Sequence, residues 1–338
     1  AGQSRPKDVP RYKPQKVGLL GAGMMGSGIA YAQASRGIAT VLKDVSLEAA
    51  NKGKANSLKV TQPRVDKGRM SAADQQALLA RITPTASTAD LQGCDLIIEA
   101  VFEHRELKAA VTHESEPMLA EGGFFASNTS TLPITSLAKA SARPQKFVGI
   151  HFFSPVDKMK LVEIIRGKET DDETIARAYD YVQALGKLPI VVNDARGFYT
   201  SRTFGTYVME GAAMLGEGIP APVIENAAVQ AGMPVGPLAV LDETALSLSV
   251  HVLDQKRADF KAEEERIVRA YDDRAIAFPS CDSGNVVAFG ADGEPIARTV
   301  DELRERARVL KSETGLDLGP TVSRLEQSGS LPGGRLLL

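Results

Sequence analysis

Cysteine is scarce in this chain: Cys94 and Cys281 are the two cysteines among 338 residues. They build no disulfide framework and match no metal-ligand spacing, which excludes a stapled secreted scaffold and a zinc module and suits a reducing compartment. An excess of one charge is missing too. With 40 Lys+Arg against 42 Asp+Glu the formal net charge is −2, so neither nucleic acid nor an anionic membrane surface is recommended as the main partner. Long apolar runs are absent as well. None approaches the roughly 18 residues a bilayer-spanning helix needs, and no signal-peptide core precedes the first apolar segment, so the sequence predicts a soluble protein. Histidine is confined to His104, His113, His151 and His251, which leaves few candidates for imidazole chemistry.

What is present begins with Lys16 to Asp44, KVGLLGAGMMGSGIAYAQASRGIATVLKD. A short apolar run ends at Leu20, Gly21-Ala22-Gly23-Met24-Met25-Gly26 follows, and helix-forming residues continue through Ala34. Strand, glycine turn and helix in that order make a dinucleotide-binding turn. One glycine serves the tight turn, one lets backbone approach a pyrophosphate and one lets helix pack on strand, while the first-turn N–H groups and the helix dipole face the phosphates. A second strand, 39–43, ends in Asp44, where a carboxylate can bond the adenosine ribose hydroxyls and would repel a 2′-phosphate. The cofactor read from these residues is NAD.

Further along, 47–69 and 71–81 are polar helical segments broken at Pro63 and Gly68, expected as a projecting hairpin whose Lys52, Lys54, Lys59, Arg64, Lys67 and Arg69 form either a solvated face or a phosphate contact. Strands are expected at 82–85, 95–100 and 123–127, with a helix over 105–119. Strand–helix alternation implies a parallel sheet whose loops converge on one edge, and cofactors bind there. Glu103 and Lys108 follow one strand at that edge. Ser127-Asn128-Thr129-Ser130-Thr131 follows the next, before a short helix with Pro133 in its first turn, where a Ser such as Ser130 ordinarily caps the helix.

Residues 146–167, KFVGIHFFSPVDKMKLVEIIRG, hold two apolar runs around a polar loop. Antiparallel pairing about Asp157 sets His151 across from Glu163, near enough for the carboxylate to hold the imidazole. A strand histidine alone is more often a core residue than a catalyst. A carboxylate inside LVEII changes the balance, because an apolar strand does not keep an unpaired charge cheaply. From Arg196 on, helices are expected at 198–215, 219–232 and 238–253, giving an all-helical second domain over 196–274.

LGAGMMGSGIA, Asp44, EAVFEHRELK, SNTSTLPI, HFFSPVDKMKLVEII, GFYTSR and AGMPVGPLAVLDE, in this order, resemble the L-3-hydroxyacyl-CoA dehydrogenases of fatty-acid β-oxidation. The closer likeness is to the dehydrogenase part of the bacterial multifunctional α subunit, where a linker like residues 1–15 joins it to an enoyl-CoA hydratase domain. The resemblance implies an α/β fold: a Rossmann-type NAD-binding domain over 16–195, then an all-helical domain like the C-terminal domain of 6-phosphogluconate dehydrogenase. Carried over by residue, it implies His151 as general base, Glu163 as its orienting partner, and Ser130 and Ser201 as polar partners of the substrate oxygen. It implies that Gly21, Gly23, Met24, Met25, Gly26, Asp44, Glu103, Lys108 and Ser130 border NAD, and that Ser57 and Arg64 touch coenzyme A. It implies no metal.

Two departures qualify it. Ser201 stands where the family usually has Asn, so that contact is shorter or bridged by water. Beyond Gln255 the sequence leaves the family pattern, and 275–338 is expected to be a divergent, loosely ordered tail. The implied reaction is NAD-dependent oxidation of an L-3-hydroxyacyl-CoA in the bacterial cytoplasm, with a hydratase domain, a thiolase subunit or a second copy as partners. Two alternatives stay open: a dehydrogenase of small 3-hydroxy acids, and a non-catalytic docking module of a β-oxidation complex.

Overall fold

The computed structural model describes residues 4–243, 275–279, 286–290, 297–314 and 335–337. Two units divide the chain, Ala1–Leu238 and Ala239–Leu338. The first is built on an eight-stranded sheet of β1 (Lys16–Leu20), β2 (Ala39–Lys43), β3 (Ile82–Thr85), β4 (Cys94–Glu99), β5 (Leu119–Ser127), β6 (Phe147–Phe152), β7 (Leu161–Arg166) and β8 (Leu188–Asn193), in spatial order β3-β2-β1-β4-β5-β6-β7-β8. The first six run parallel. Their order is that of a doubly wound dinucleotide-binding sheet, whose ligand crevice opens where the winding reverses, between β1 and β4. β7 turns back antiparallel to β6, and β8 runs parallel to β7.

Strand alternation sorts side chains onto the two faces. Val17, Leu19, Phe124, Ala126, Val148 and Ile150 join one core, and Leu20, Ile97, Phe125, Phe147 and Ile165 join the other. The first core is covered by α1 (Met24–Ser35) and α6 (Asp172–Ala184); α4 (Arg105–Ser115) and α5 (Ile134–Leu137) lie over the second. Side-chain caps start α2 (Leu47–Asp66) at Ser46, α3 (Ala72–Ala80) at Ser71 and α6 at Asp171.

Two local expectations are corrected. α2 continues through Pro63, which removes one backbone bond and has only the last turn of the helix beyond it. α4 stops at Ser115, because Pro117 cannot extend it and a 3-10 turn takes Glu116–Met118, and β5 then begins at Leu119 rather than Gly123. The segment before β1 is bound to the domain: Arg5 makes two 2.8 Å bonds to Asp180 on α6, and Tyr12 donates its N–H to the same carboxylate at 2.9 Å. Its basic residues thus find a buried acid that lies about 170 positions away in sequence.

After β8, the first unit continues in α7 (Thr200–Gly216) and α8 (Ala221–Gln230), and α9 is Pro237–Glu243. Tyr207 on α7 donates its hydroxyl to the Val235 carbonyl at 2.6 Å. The expected continuation of α9 over 244–253, and the charged stretch 256–273, lie outside the described residues. In the second unit the described residues form β9 (Ala275–Pro279) paired antiparallel with β10 (Val286–Gly290), β11 (Ala297–Thr299) paired with β12 (Arg335–Leu337), and α10 (Val300–Thr314). A capping box starts α10. Glu302 Oε2 accepts from the Thr299 N–H at 2.7 Å, and Thr299 Oγ1 accepts from the Glu302 N–H at 3.3 Å.

Candidate active site

The glycine turn between β1 and α1 sits at the crevice. Gly21 has φ 93°, and a Cβ there would lie 2.7 Å from the Ala100 carbonyl oxygen. A Cβ on Gly26 would come within 1.8 Å of the Gly21 carbonyl oxygen, so both positions need glycine for the chain's own packing. Gly23 differs: nothing lies within 4 Å of a Cβ built on it, and it is the N-cap of α1 with no side-chain cap. The first-turn donors of α1 are therefore left facing open space, a cradle that fits a pyrophosphate.

Asp44, at the end of β2, accepts from the Ala22 N–H at 2.6 Å and from the Val45 N–H at 2.6 Å. It shares a cavity of about 700 Å³ with Gly23, Met24, Lys52, Asn56 and Lys59, and that size suits a small-molecule site. A stripe of small side chains brings α2 onto the glycine turn: Ala50, Gly53, Ser57 and Thr61 are its buried residues, and a Cβ on Gly53 would lie 2.6 Å from that of Ala22. This stripe also decides where two expected ligand contacts fall. Ser57 is fully buried with its hydroxyl unpartnered, turned away from the cavity its neighbours line, while Arg64 is exposed and donates to the Tyr31 hydroxyl at 3.2 Å.

Across the crevice, Lys108 is buried between two carboxylates. Its Nζ lies 3.0 and 2.9 Å from the oxygens of Glu99 and 3.0 Å from Glu103 Oε2. Glu103 in turn gathers the loop after β5, accepting from Thr129 Oγ1 at 2.7 Å, from the Ser130 N–H at 2.7 Å and from Ser130 Oγ at 3.2 Å. Ser130 is therefore a partner of Glu103 and not a helix cap. The free N–H groups of Ile134 and Thr135 at the start of α5 are taken instead by Asp194, at 2.9 and 2.7 Å.

Burial pushes the Glu99 carboxyl above the ordinary glutamate range, against the opposing pull of Lys108 and of the Ser127 hydroxyl that donates to it. Burial acts the same way on Glu103, but Lys108 and the donors of the Thr129–Ser130 loop outweigh it and hold that carboxyl low. Lys108 is held high, because the two acids overcome its desolvation. One cation thus serves two carboxylates, with Glu103 held low and Glu99 pushed up. Glu99 is a site residue the sequence reading missed, although it carried the same signal as Glu163, an acid inside the apolar run CDLIIEA.

β6 and β7 pair in the expected register, with His151 opposite Glu163. His151 Nδ1 lies 2.8 Å from Glu163 Oε2, both side chains are buried, and Phe153 and Phe198 wall the ring at centroid distances of 4.4 and 6.0 Å. With Nδ1–H donated to the carboxylate, Nε2 is the nitrogen left as a base. Burial would raise the Glu163 pKa, but bonds from His151 and Thr200 outweigh it and the carboxyl stays below the usual range. Ser127, the last residue of β5, pairs with Gly149 of the parallel β6, so the Thr129–Ser130 loop leaves the sheet at the edge where β6 carries His151. Asn128 ties the two together, its Oδ1 accepting from the Phe152 N–H at 2.9 Å. Ser201 is half-buried in the first turn of α7. His104 and His113 are exposed, and His251 lies outside the described residues.

Residues 16–195 match the family model of the 3-hydroxyacyl-CoA dehydrogenase NAD binding domain, and residues 197–276 that of the family's C-terminal domain. The chain belongs to the 3-hydroxyacyl-CoA dehydrogenase family. Its fold is therefore the family's Rossmann domain with a helical C-terminal domain, and its cofactor is NAD. Among relatives of this dehydrogenase-family chain, the fatty acid oxidation complex subunit alpha of Colwellia psychrerythraea is 38% identical over 253 residues, covering 75% of the chain and 35% of that relative. The chain thus spans about a third of the length of the curated relative it matches. The solved (S)-3-hydroxybutyryl-CoA dehydrogenase from Ralstonia eutropha is 36% identical with a TM-score of 0.68, over 72% of this chain and 86% of that one. The 3-hydroxybutyryl-CoA dehydrogenase from Escherichia coli K12 is 32% identical with a TM-score of 0.68, over 71% and 52% respectively. Among the described residues no helix is long and apolar enough to cross a membrane, and no group of acidic, histidine or cysteine side chains could hold a metal ion.

Proposed function

We propose that this chain oxidises an L-3-hydroxyacyl-CoA to the 3-ketoacyl-CoA with NAD as acceptor. The observation that carries the reading is the buried His151–Glu163 pair, 2.8 Å apart, at the edge of an NAD-binding sheet. His151 Nε2 takes the proton of the C3 hydroxyl, Glu163 fixes the tautomer, and the Glu163 charge stabilises the imidazolium that results. Ser130, held by Glu103, aligns the hydroxyl, and Ser201 offers a second polar contact. NAD bound on the glycine turn supplies the hydride acceptor. Gly21, Gly23, Met24, Met25 and Gly26 would hold its pyrophosphate, Asp44 its adenosine ribose, and Glu103, Lys108 and Ser130 would border it from the other side. Lys52 and Lys59, which line the cavity beside Asp44, and the exposed Arg64 are the basic residues placed to meet phosphates.

The substrate class and the partners rest on kinship: the relatives are named for the fatty acid oxidation complex and for hydroxybutyryl-CoA. An enoyl-CoA hydratase domain in a longer parent chain, a thiolase subunit, a second copy through the helical region and a cytoplasmic setting belong to the same reading. A dehydrogenase of small 3-hydroxy acids would place a Lys base in the long helix, and α7 contains none. A spectrophotometric assay of NADH oxidation with acetoacetyl-CoA, with free acetoacetate and without substrate decides the matter. Turnover only with the thioester supports the proposal, turnover with free acetoacetate replaces the substrate class, and none with either leaves a docking module.

A further inference from the structure

Glu163 receives more than the imidazole. Its Oε2, which holds His151 Nδ1 at 2.8 Å, also accepts from the Thr200 hydroxyl at 2.6 Å. Its Oε1 accepts from the backbone N–H of Tyr199 at 3.0 Å and of Thr200 at 2.9 Å. The turn that delivers these donors is strained at its centre: Gly197 has φ 69° and the buried Phe198, a non-glycine residue, has φ 47°. A left-handed phenylalanine persists only when its surroundings over-determine it, and such residues cluster where geometry is part of function. Here the turn leads into α7 with the donors of Tyr199 and Thr200 placed on Glu163.

We infer that Thr200 is a positioning residue of the dyad, its hydroxyl sharing Glu163 Oε2 with His151 and thereby setting how strongly the carboxylate holds the charged imidazole. The inference rests on the proposed role of His151 as base. A carboxylate oxygen that already accepts a hydroxyl bond has less electron density to offer a second donor, so the imidazolium beside it is stabilised less. Removing the hydroxyl returns that density to His151. Glu163 stays ionised meanwhile, because the two backbone donors remain. Among the described residues, few other groups face this centre. β6 contributes His151, β8 lays Ile190 beside Glu163 in register, and the start of α7 contributes Thr200, the Phe198 ring and the amide of Tyr199, whose titratable side chain is exposed. Of these residues His151 alone carries a titratable side chain against the carboxylate.

The test uses Thr200→Val, isosteric without the hydroxyl, and Thr200→Ser, which keeps it. In Thr200→Val the acid limb of the kcat/KM profile for hydroxyacyl-CoA oxidation moves to higher pH by about half a unit, a fraction of the roughly one unit that a charge-assisted bond shifts the group it touches. The titration of the His151 C2 proton, assigned against His151→Gln, moves the same way, and Thr200→Ser keeps the parental curves in both. A Val profile that superimposes on the parent overturns the inference, as does a Ser variant displaced as far as Val. If the parent turns over no thioester, the proposed function has failed, and the proton titration still decides whether Thr200 tunes the pair.

Discussion

Replacing Lys108 by Met should destabilise the NAD-binding domain in a way that depends on pH. The ammonium is 3% exposed, between Glu99 at 1% and Glu103 at 18%, with three contacts of 3.0 Å or less. Breaking a buried pair by removing one partner costs about 3–5 kcal/mol. The lower end applies here, because Ser127 still donates to Glu99, Thr129 and Ser130 still donate to Glu103, and Glu99 can take up a proton. At roughly 2–4 °C per kcal/mol for a domain of this size, about 3 kcal/mol corresponds to a loss of roughly 6–12 °C in melting temperature. The sign with pH follows from Glu99. A carboxyl whose folded pKa is raised favours the folded state when protonated, and losing Lys108 raises Glu99 further still, so the deficit grows as pH rises through and above the parent's folded Glu99 pKa, and shrinks toward acid. Thermal melts by circular dichroism at about pH 5.5 and pH 8 read this directly, and Lys108→Met combined with Glu99→Gln should recover at least half of the loss. A single variant that melts within about 2 °C of the parent at pH 8, or a deficit independent of pH, would refute the view that Lys108 neutralises this buried pair.

The glycine turn gives a paired expectation: Gly23→Ala, whose Cβ meets nothing in the chain, should keep the parental melting temperature yet bind NAD at least tenfold more weakly, whereas Gly26→Ala, 1.8 Å from a carbonyl oxygen, should lose both. Unchanged NAD affinity in Gly23→Ala, read by fluorescence titration, would mean that the open space there is not the pyrophosphate cradle. The Asp44 carboxylate should make NADH bind more tightly than NADPH, and equal or tighter NADPH binding would sink that assignment. His151→Ala should lower turnover by about 10²–10⁴ with NAD affinity nearly intact, the range of general base catalysis. Full activity in that variant would remove His151 from the mechanism, and unfolding of the variant would make the pair structural.

Much of this molecule was legible from periodicity and local chemistry. The glycine spacing, the acid ending β2 and the strand–helix alternation are short-range features, and β1 to β6 form the parallel sheet that the alternation implies. Even the His151–Glu163 contact could be read, because a short loop between two apolar runs fixes an antiparallel register, and register fixes which side chains oppose. Where the reading slipped, the competing cause was also local: Pro63 falls late enough in its helix to cost one bond, and Pro117 ends α4 a turn early.

Only the tertiary structure decided what the polar residues of the site do to one another. Ser130 looked like a cap because the residues next to it in sequence suggest one, but the donor-hungry Glu103 comes from 27 positions away and the real cap, Asp194, from about 60. The resemblance sets Ser57 beside coenzyme A, and the structure makes it a fully buried member of the small-residue stripe of α2 with an unpartnered hydroxyl. Thr200 gave no signal at all, since its partner lies 37 positions back and is brought to it by a left-handed turn at Phe198. Sequence determines which segments form strands and helices because those choices depend on neighbours within a few residues. The hydrogen bonds that set charge and tautomer join groups from distant segments, and which donors reach a buried carboxylate is settled only when the sheet and helices have packed.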